Sequence, residues 1–165
     1  MITIENAQYD HLEAILAIYN QGIQDRIATL ETDEKDFDYI KDWFLGRGER
    51  YSVLVAKEGK EVVGWASLNP YSHRSAYTSV ADLSVYIKRG DRGKGIGKVL
   101  LKAIEQAAKE HSFHKIVLFT FPFNPAGQKL YHKMGYREVG VFQEQGEMDG
   151  KRVDVMAMEK LMEGK

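Results

Sequence analysis

A short glycine-rich segment between a strand pattern and a helix pattern places the strongest constraint on this chain. The segment GDRGKGIGK, residues 90–98, follows the apolar run VADLSVYI and precedes a helical face formed by Ile96, Val99, Leu100, Ala103, Ile104 and Ala107. Glycines allow the backbone to approach a ligand closely and to adopt positive φ angles. A helix that begins near Gly95 directs free N–H groups and its positive dipole end at the loop, where Arg92, Lys94 and Lys98 add cations. The segment predicts a phosphate-binding loop, and the alternative is a tight turn with basic surface residues.

Two familiar phosphate loops do not fit this segment. The nucleoside-triphosphate loop ends in Gly-Lys-Ser/Thr after an earlier glycine, but Gly97-Lys98 is followed by Val99 and position 92 is Arg. The dinucleotide loop needs a third glycine where this chain has Lys98. The pattern that remains is R-x-x-G-x-G between a strand and a helix.

The rest of the chain predicts strands and helices that alternate within one domain. Periodicity and turn signals predict a strand at 2–6, helices at 10–21 and 32–46, a hairpin over 51–68, a loop at 69–76, a strand at 78–87, the helix after the glycines, a strand at 114–121, a short helix at 126–133 and two strands between 136 and 158. Thr32 or Asp33 is the expected cap of the second helix. This order indicates an α/β fold with a mixed sheet. Because 165 residues show no linker or repeat, residues 1–165 are expected to form a single domain.

Composition excludes several other classes of protein. A formal net charge of -1 gives no support to nucleic-acid binding. The chain has no cysteine, which removes disulfides, thiolate nucleophiles and cysteine metal sites and fits a cytoplasmic protein. The early acidic residues and the lack of a long apolar run predict neither a signal peptide nor a membrane span. No H-E-x-x-H or comparable ligand set is present, so no metal is expected.

Two blocks carry a resemblance to a known family. LSVYIKRGDRGKGIGKVLL resembles the acetyl-CoA motif of the GNAT superfamily of N-acetyltransferases, and FPFNPAGQKLYHKMGYREVG resembles its N-x-x-A-x-x-L-Y-x-x-x-G-F/Y block, with Gly127 in place of alanine. Shorter matches at 27–32, 74–77, 82–86 and 149–154 resemble the phosphinothricin and methionine sulfoximine acetyltransferase branch. The resemblance implies a single-domain α/β (α+β) fold. Its central sheet is mixed, mostly antiparallel, splayed at the fourth strand and flanked by helices. It also implies a homodimer whose interface borders the substrate pocket.

The resemblance implies acetyl-CoA as co-substrate. Its pyrophosphate would be held by the loop residues Arg92, Gly93, Lys94, Gly95, Ile96, Gly97 and Lys98. Its pantetheine arm would pair like an added strand with the backbone of Leu83, Val85 and Ile87, and Asn124 would contact the same arm. The Val85 amide would then be the donor to the oxyanion.

The chemistry of N-acetyl transfer needs an amine that has lost its proton. The base candidate is Asp82, which is one methylene shorter than the glutamate usual in related amino-acid acetyltransferases, so a bridging water is expected. The alternative is a strand aspartate satisfied by backbone groups or by an arginine. Tyr131 matches the tyrosine that protonates the leaving thiolate, and the alternative is a ring that only packs in the short helix.

The acceptor is expected to be a small-molecule amine. Arg74 is the candidate to bind an amino-acid carboxylate in a bidentate pair, and the alternative is a solvated loop cation. Tyr77 lies beside it in the sequence, and Thr29 and Leu30 are expected in the pocket wall. The resemblance implies an acetyl-CoA-dependent N-acetyltransferase acting on the α-amine of a small L-amino acid or analogue, of the methionine sulfone, methionine sulfoximine or phosphinothricin type, by direct transfer in a ternary complex. The alternatives are acetylation of a protein N-terminus or a polyamine, or a non-catalytic CoA-binding module.

Overall fold

The computed structural model describes residues 1–162 as a seven-stranded sheet with helices on both faces. The strands are β1 Ile2–Asn6, β2 Val53–Glu58, β3 Glu61–Pro70, β4 Val80–Ile87, β5 Lys115–Thr120, β6 Arg137–Met148 and β7 Lys151–Leu161. The α-helices are α1 Leu12–Asp25, α2 Phe37–Leu45, α3 Ile96–Glu110 and α4 Pro125–Lys133. Their order along the chain confirms the predicted alternation and the α/β fold class.

The sheet is mixed and opens at its fourth strand. Its strand order is β1-β2-β3-β4-β5-β7-β6, and every neighbouring pair is antiparallel except β4 and β5. The parallel pairing covers Val80, Ala81 and Asp82 of β4 and ends there, whereas β3 pairs with β4 as far as Ile87. The predicted splay is therefore confirmed, and it leaves one side of the second half of β4 without a strand.

Each face of the sheet is covered by a separate apolar cluster. On one face, Leu100, Leu101 and Ile104 of α3 are fully buried against Ala66 and Leu68 of β3. On the opposite face, α1 and α2 bury the residues Leu12, Ile15, Ile40, Val55 and Trp65. Full burial of a leucine or isoleucine side chain contributes about 1.5–3 kcal/mol, so these contacts fix the helices that border the opening beside β4.

The second helix begins later than the sequence indicates. The prediction that it starts at Thr32 is wrong, since α2 starts at Phe37 and its cap is Asp36, whose Oδ1 accepts the N–H of Tyr39 at 2.9 Å. The side chain of Asn20 bonds both backbone groups of Lys35, at 2.9 and 3.0 Å. Those groups are then unavailable to a helix. Residues 26–36 consequently form a long connection beside the sheet.

Smaller differences concern the ends of strands. β3 runs through Asn69 to Pro70, where a loop was expected, and a 3-10 turn occupies Ser75–Tyr77. β7 continues to Leu161, beyond the predicted end at 158. Within residues 1–162, none of the helices has the length and apolar character needed to cross a membrane.

Candidate active site

A cavity of about 560 Å³ lies where β4 and β5 separate. The glycine loop and the start of α3 form one end, the open side of β4 forms its length, and the connection after α1, the end of β5 and the start of α4 close the rest. Most of the site residues predicted from the sequence line this cavity. They are Thr29, Leu30, Asp82, Leu83, Val85, Ile87, Arg92, Gly93, Gly95, Ile96, Gly97, Lys98, Asn124 and Tyr131.

The glycine loop forms an end of the cavity suited to an anion. Gly93 and Gly95 have φ angles of 80° and 86°, which side chains rarely adopt, and Gly95 is the N-cap of α3. The first amides of a helix have no partner within it, so those of Ile96 and Gly97 remain free to bind a ligand. Arg92 adds a guanidinium, held by Asp25 at 2.7 Å.

One predicted loop residue lies outside the cavity. Lys94 does not line it, because the Lys94 ammonium turns back to the Asp91 carboxylate at 3.0 Å. The Lys94 backbone remains part of the loop between the two glycines of positive φ.

The open side of β4 presents backbone groups to the cavity. The N–H of Lys88 bonds the carbonyl of Val63 at 2.8 Å, and backbone groups alternate sides along an antiparallel strand. The N–H and C=O groups of Val85 and Ile87 therefore point away from β3, into the gap left by β5. The Ile87 carbonyl accepts from Arg92 Nε at 3.3 Å, which fits this direction. Leu83 stands where the pairing with β5 ends.

Asp82 places a carboxylate at the other end of this strand. It shares a sheet face with Ser84 and Tyr86, as alternation predicts, and all three line the cavity. Burial raises the pKa of Asp82 from 3.8 to about 6, and the amide of Asn69, directly opposite on β3, partly offsets that rise. The Asp82 carboxyl thus changes protonation close to neutral pH, as a general base requires.

An aromatic wall follows Asp82 on the same face. The ring of Tyr86 stacks on Trp65 with centroids 5.0 Å apart and meets Tyr19 edge-on at 5.2 Å. Burial raises the pKa of Tyr19 to about 12, and the nearby Thr29 hydroxyl partly offsets that rise. The helical residue Gly22 permits the close approach, since a Cβ there would lie 3.0 Å from the Tyr86 ring.

The start of α4 closes the cavity. Asn124 caps α4 by accepting the N–H of Gly127 at 3.2 Å, and its amide donates to the carbonyl of Ile27 at 3.2 Å. Tyr131 lies further along α4, and its ring packs edge-on against that of Tyr136 with centroids 5.9 Å apart. Burial raises the pKa of Tyr131 to about 12, so this phenol keeps its proton throughout the neutral range.

Two predicted acceptor residues lie outside the cavity. Arg74 and Tyr77 are exposed, and neither lines it, because they belong to the turn between β3 and β4. There the Tyr77 ring packs edge-on against Tyr71 at 5.7 Å. Within one chain, the structure brings Thr29 and Leu30 to Asp82 but not Arg74 or Tyr77.

Several lining residues are not among the predicted site residues. Ser84 and Tyr86 follow from the same alternation as Asp82, whereas Gly22 lies just beyond the predicted helix 10–21 and becomes helical only because α1 continues to Asp25. Ile27 and Phe121 carried no local signal, because their position depends on how the connection after α1 and the end of β5 meet in space. These two residues add apolar surface to the lining of the cavity.

This arrangement combines an anion cradle, formed by the glycine loop and the first amides of α3, with a free strand edge and the half-buried Asp82 carboxylate. The first can hold a phosphate group, and the second can pair with an extended amide-bearing arm. The third can take a proton from an amine. Among residues 1–162, no three His, Cys, Asp or Glu side chains are grouped as metal ligands.

Comparison with known proteins agrees with this geometry. The family model described as "Acetyltransferase (GNAT) family" matches residues 14–136. A Bacillus subtilis (strain 168) protein, YwnH, provisionally assigned as a phosphinothricin acetyltransferase, is 36% identical over 93% of this chain and 95% of its own length. The L-methionine sulfoximine/L-methionine sulfone acetyltransferase of Pseudomonas aeruginosa PAO1 is 29% identical over 95% and 92%.

A solved structure extends the agreement to the whole chain. That of yncA from Salmonella typhimurium, a provisionally assigned acetyltransferase with its cofactor acetyl-CoA, superposes with a TM-score of 0.94 at 26% identity, covering 100% of this chain and 96% of that one. The splayed sheet, the glycine loop and these matches lead to one conclusion: the chain belongs to the acetyltransferase (GNAT) family.

Proposed function

We propose that this protein transfers the acetyl group of acetyl-CoA to the α-amine of a small L-amino acid or analogue, in a ternary complex without a covalent enzyme intermediate. The observation that carries the proposal is the single cavity that joins the glycine loop, the open side of β4 and the Asp82 carboxylate. Each part corresponds to one requirement of amide formation: binding the donor, orienting it and removing a proton.

The glycine loop suits the pyrophosphate of acetyl-CoA. Free amides at the start of α3 and the Arg92 guanidinium supply donors, and Gly93 and Gly95 keep side chains away from the anion. The pantetheine arm would run along β4 and bond Val85 and Ile87 as a strand would. The Asn124 side chain already bonds Ile27 and Gly127, so a contact between Asn124 and this arm would have to share or replace those bonds.

Asp82 suits the removal of the amine proton. An α-ammonium group is a much weaker acid than a carboxylic acid, and burial brings the pKa of Asp82 from 3.8 to about 6. This rise narrows the difference between the pKa values of the two groups, which makes proton transfer from the amine less unfavourable. The Asp82 charge also attracts the ammonium form of the acceptor into the cavity.

Val85 and Tyr131 suit the acyl carbon and the leaving group. The Val85 N–H, directed into the gap, is proposed to stabilise the oxygen that gains charge as the amine attacks. The Tyr131 phenol, with a pKa of about 12, is a weak acid toward a thiolate whose conjugate acid has a pKa of about 8.5. Tyr131 is therefore proposed to donate a hydrogen bond to the departing sulfur.

The acceptor class is proposed from the relatives and the lining of the cavity. Their names specify phosphinothricin and the sulfoximine or sulfone of L-methionine, which are small amino-acid analogues. Ile27, Leu30 and Phe121 supply an apolar wall for such a side chain. The prediction that Arg74 binds the acceptor carboxylate would require a movement of its turn or the approach of a second chain.

A thiol-release assay tests this function. Purified protein with acetyl-CoA is expected to release free CoA with methionine sulfone, methionine sulfoximine or phosphinothricin, at least about tenfold faster in kcat/KM than with spermidine or an alanine-terminated peptide. Spermidine is a longer polycation, and a cavity with one acidic side chain and an apolar wall offers it few favourable contacts. Turnover with spermidine and none with amino acids would contradict the acceptor class. Acetyl-CoA binding with no thiol release from any amine would contradict the enzymatic function.

We further propose that the protein is a homodimer formed through β6. This edge strand exposes Val139, Val141 and Phe142, which is unusual for a free sheet edge. The interface would border the cavity, because Leu30 lines the cavity and also rests on Gly146 of β6, where a Cβ would lie 2.7 Å from Leu30.

The double variant Val141→Glu/Phe142→Glu is expected to be a monomer in light scattering, because the interface would have to bury two charges from each chain. The control Leu45→Glu changes an apolar residue on α2 that is even more exposed, and this variant is expected to remain a dimer. A wild-type protein that scatters as a single chain at micromolar concentration would overturn the dimer.

A further inference from the structure

A chain of polar side chains leads from the loop after α2 to Asp82. Asn69 of β3 lies opposite Asp82 in the ladder, and Ser67 lies opposite Ser84. Arg47 reaches this group from the other side, with Nη2 donating to Asn69 Oδ1 at 3.0 Å. Four polar residues on two neighbouring strands therefore form one connected group, on the same sheet face as the aromatic wall.

The direction of the Asn69 amide is fixed by its partners. A guanidinium only donates hydrogen bonds, so the atom facing Arg47 must be the amide oxygen. Ser67 Oγ also donates to that oxygen, at 3.1 Å. The amide nitrogen is then directed toward β4, where it donates to Ser84 Oγ at 3.1 Å and favours the charged form of Asp82.

Arg47 is a half-buried arginine held by an aromatic ring and by carbonyl oxygens. Its guanidinium lies over the Trp43 ring at 4.4 Å, and Nε donates to the Tyr51 carbonyl at 3.1 Å. Within residues 1–162 it has no carboxylate partner, and burial lowers its pKa to about 10. A half-buried cation without an anion is costly to keep. The hydrogen bond from Arg47 to Asn69 fixes the amide that lies opposite Asp82, which indicates a role for Arg47 beyond packing.

We propose that Asn69, held in place by Arg47, is a positioning residue that keeps the Asp82 carboxylate oriented and ready to accept a proton. This inference rests on the proposed acetyl transfer, in which Asp82 is the base. Neither Asn69 nor Arg47 is among the described residues that line the cavity, so neither contacts the substrates directly. Their effect passes through Asp82 and Ser84.

Among residues 1–162, the titratable side chains that interact with Tyr86 beside Asp82 include two further phenols. The Tyr86 phenol on β4 faces Asp82, and the phenols of Tyr19 and Tyr131 face Tyr86 in turn. Burial raises the pKa of all three, that of Tyr19 and Tyr131 to about 12. The Arg47 guanidinium remains charged. A change in activity near pH 6 therefore reports Asp82.

The experiment measures the pH dependence of kcat/KM for the acceptor by thiol release. In wild type the value is expected to rise through pH about 6 as Asp82 loses its proton. In Asn69→Leu the carboxylate loses the neighbouring amide that favours its charged form, so its pKa rises and the acid limb is expected to move up by about one pH unit. Arg47→Met allows the Asn69 amide to rotate, so the acid limb of the kcat/KM profile is expected to move to higher pH in this variant as well. The KM for acetyl-CoA is expected to stay within about twofold in both variants, since neither residue lines the cavity.

Arg50→Met is the matched control. Arg50 lies on the same loop, donates to the carbonyls of Thr78 and His111 at 2.9 and 3.2 Å, and lies over the Phe113 ring at 4.0 Å. It is an arginine of the same structural kind that does not touch Asn69. A purely structural role for Arg47 predicts that both arginine variants lose stability and that neither moves the limb, which would overturn the proposal.

A second measurement separates this inference from the function on which it rests. Carbon-13 NMR of the Asp82 carboxyl in the full chain gives its pKa without any substrate, and Asn69→Leu is expected to raise it. An unchanged carboxyl pKa overturns the positioning role even where acetyl transfer is found. A raised carboxyl pKa in a protein without thiol release supports the Asn69 contact and rejects the acetyl transfer. Where Asn69→Leu does not fold, Asn69→Ser and Arg47→Met give the same comparison.

Discussion

Asp82→Asn is expected to lower kcat for acetyl transfer by about 10²- to 10⁴-fold, the usual contribution of a general base. The substitution keeps the size and shape of the side chain and removes only its ability to accept a proton. Because the glycine loop, the proposed pyrophosphate site, lies at the other end of the cavity from Asp82, the dissociation constant for acetyl-CoA is expected to stay within about threefold of wild type. Thiol release and calorimetric titration of acetyl-CoA measure the two effects separately.

The same variant is expected to lose the acid limb of the pH profile. Wild-type kcat/KM should increase through pH about 6, where Asp82 deprotonates. The residual activity of Asp82→Asn should lack that step. A variant that keeps wild-type kcat, or one that keeps the step near pH 6, would show that another group removes the proton.

Stability should change in the opposite direction to activity. The folded-state pKa of Asp82 is raised from 3.8 to about 6, so the folded protein binds this proton more tightly than the unfolded chain does. The stability associated with that proton is present below pH about 4 and is lost as the pH rises through about 6. Above that pH the buried charge costs about 2–3 kcal/mol, which Asp82→Asn avoids. Urea unfolding at pH 8 should therefore show a variant more stable than wild type.

A second aspartate gives the matched control. Asp154 lies on β7, and its Oδ1 accepts the N–H of Glu144 at 2.7 Å, as expected of a strand aspartate with a structural role. Asp154→Asn keeps an acceptor at that place and should leave both kcat and stability close to wild type. If Asp82→Asn behaved like Asp154→Asn in both measurements, Asp82 would be such a structural aspartate.

The sequence was most informative where a signal is local. Apolar periodicity located α3, and the alternation in VADLSVYI placed Asp82, Ser84 and Tyr86 on one face of β4. The glycines before α3 indicated positive φ angles, which Gly93 and Gly95 have. The resemblance then supplied the splay of the sheet, which periodicity alone does not contain.

The sequence was least informative where distant segments compete. Thr32, Asp33 and Asp36 are all good helix caps, and the choice of Asp36 depends on Asn20, which bonds both backbone groups of Lys35. Likewise, nothing local shows that Asn69 lies opposite Asp82, because that depends on the register of β3 against β4. The group around Asp82 was found only once three separate segments were in place.

Gly95→Val is expected to weaken acetyl-CoA binding by at least about 100-fold. Gly95 has a φ of 86° as the N-cap of α3, a conformation that a β-branched residue adopts only at a cost of about 1–3 kcal/mol. Relief of that strain would move the loop and misdirect the amides that follow it. Loss of two charge-assisted hydrogen bonds, at about 1.5 kcal/mol or more each, accounts for a change of this size. Calorimetric titration of acetyl-CoA measures it directly.

Two other glycines separate the loss of the cradle from backbone strain. Gly59 has a φ of 63° in the turn between β2 and β3, far from the cavity, so Gly59→Val should lose similar stability but keep acetyl-CoA affinity. Gly90 lies in the same loop without a positive φ and with open space around it, so Gly90→Val should keep both. If Gly59→Val weakened binding as much as Gly95→Val, general destabilisation would explain the loss. If Gly95→Val bound acetyl-CoA normally, the pyrophosphate would have to bind elsewhere, because strain at the N-cap of α3 cannot leave a cradle built on that helix start undisturbed.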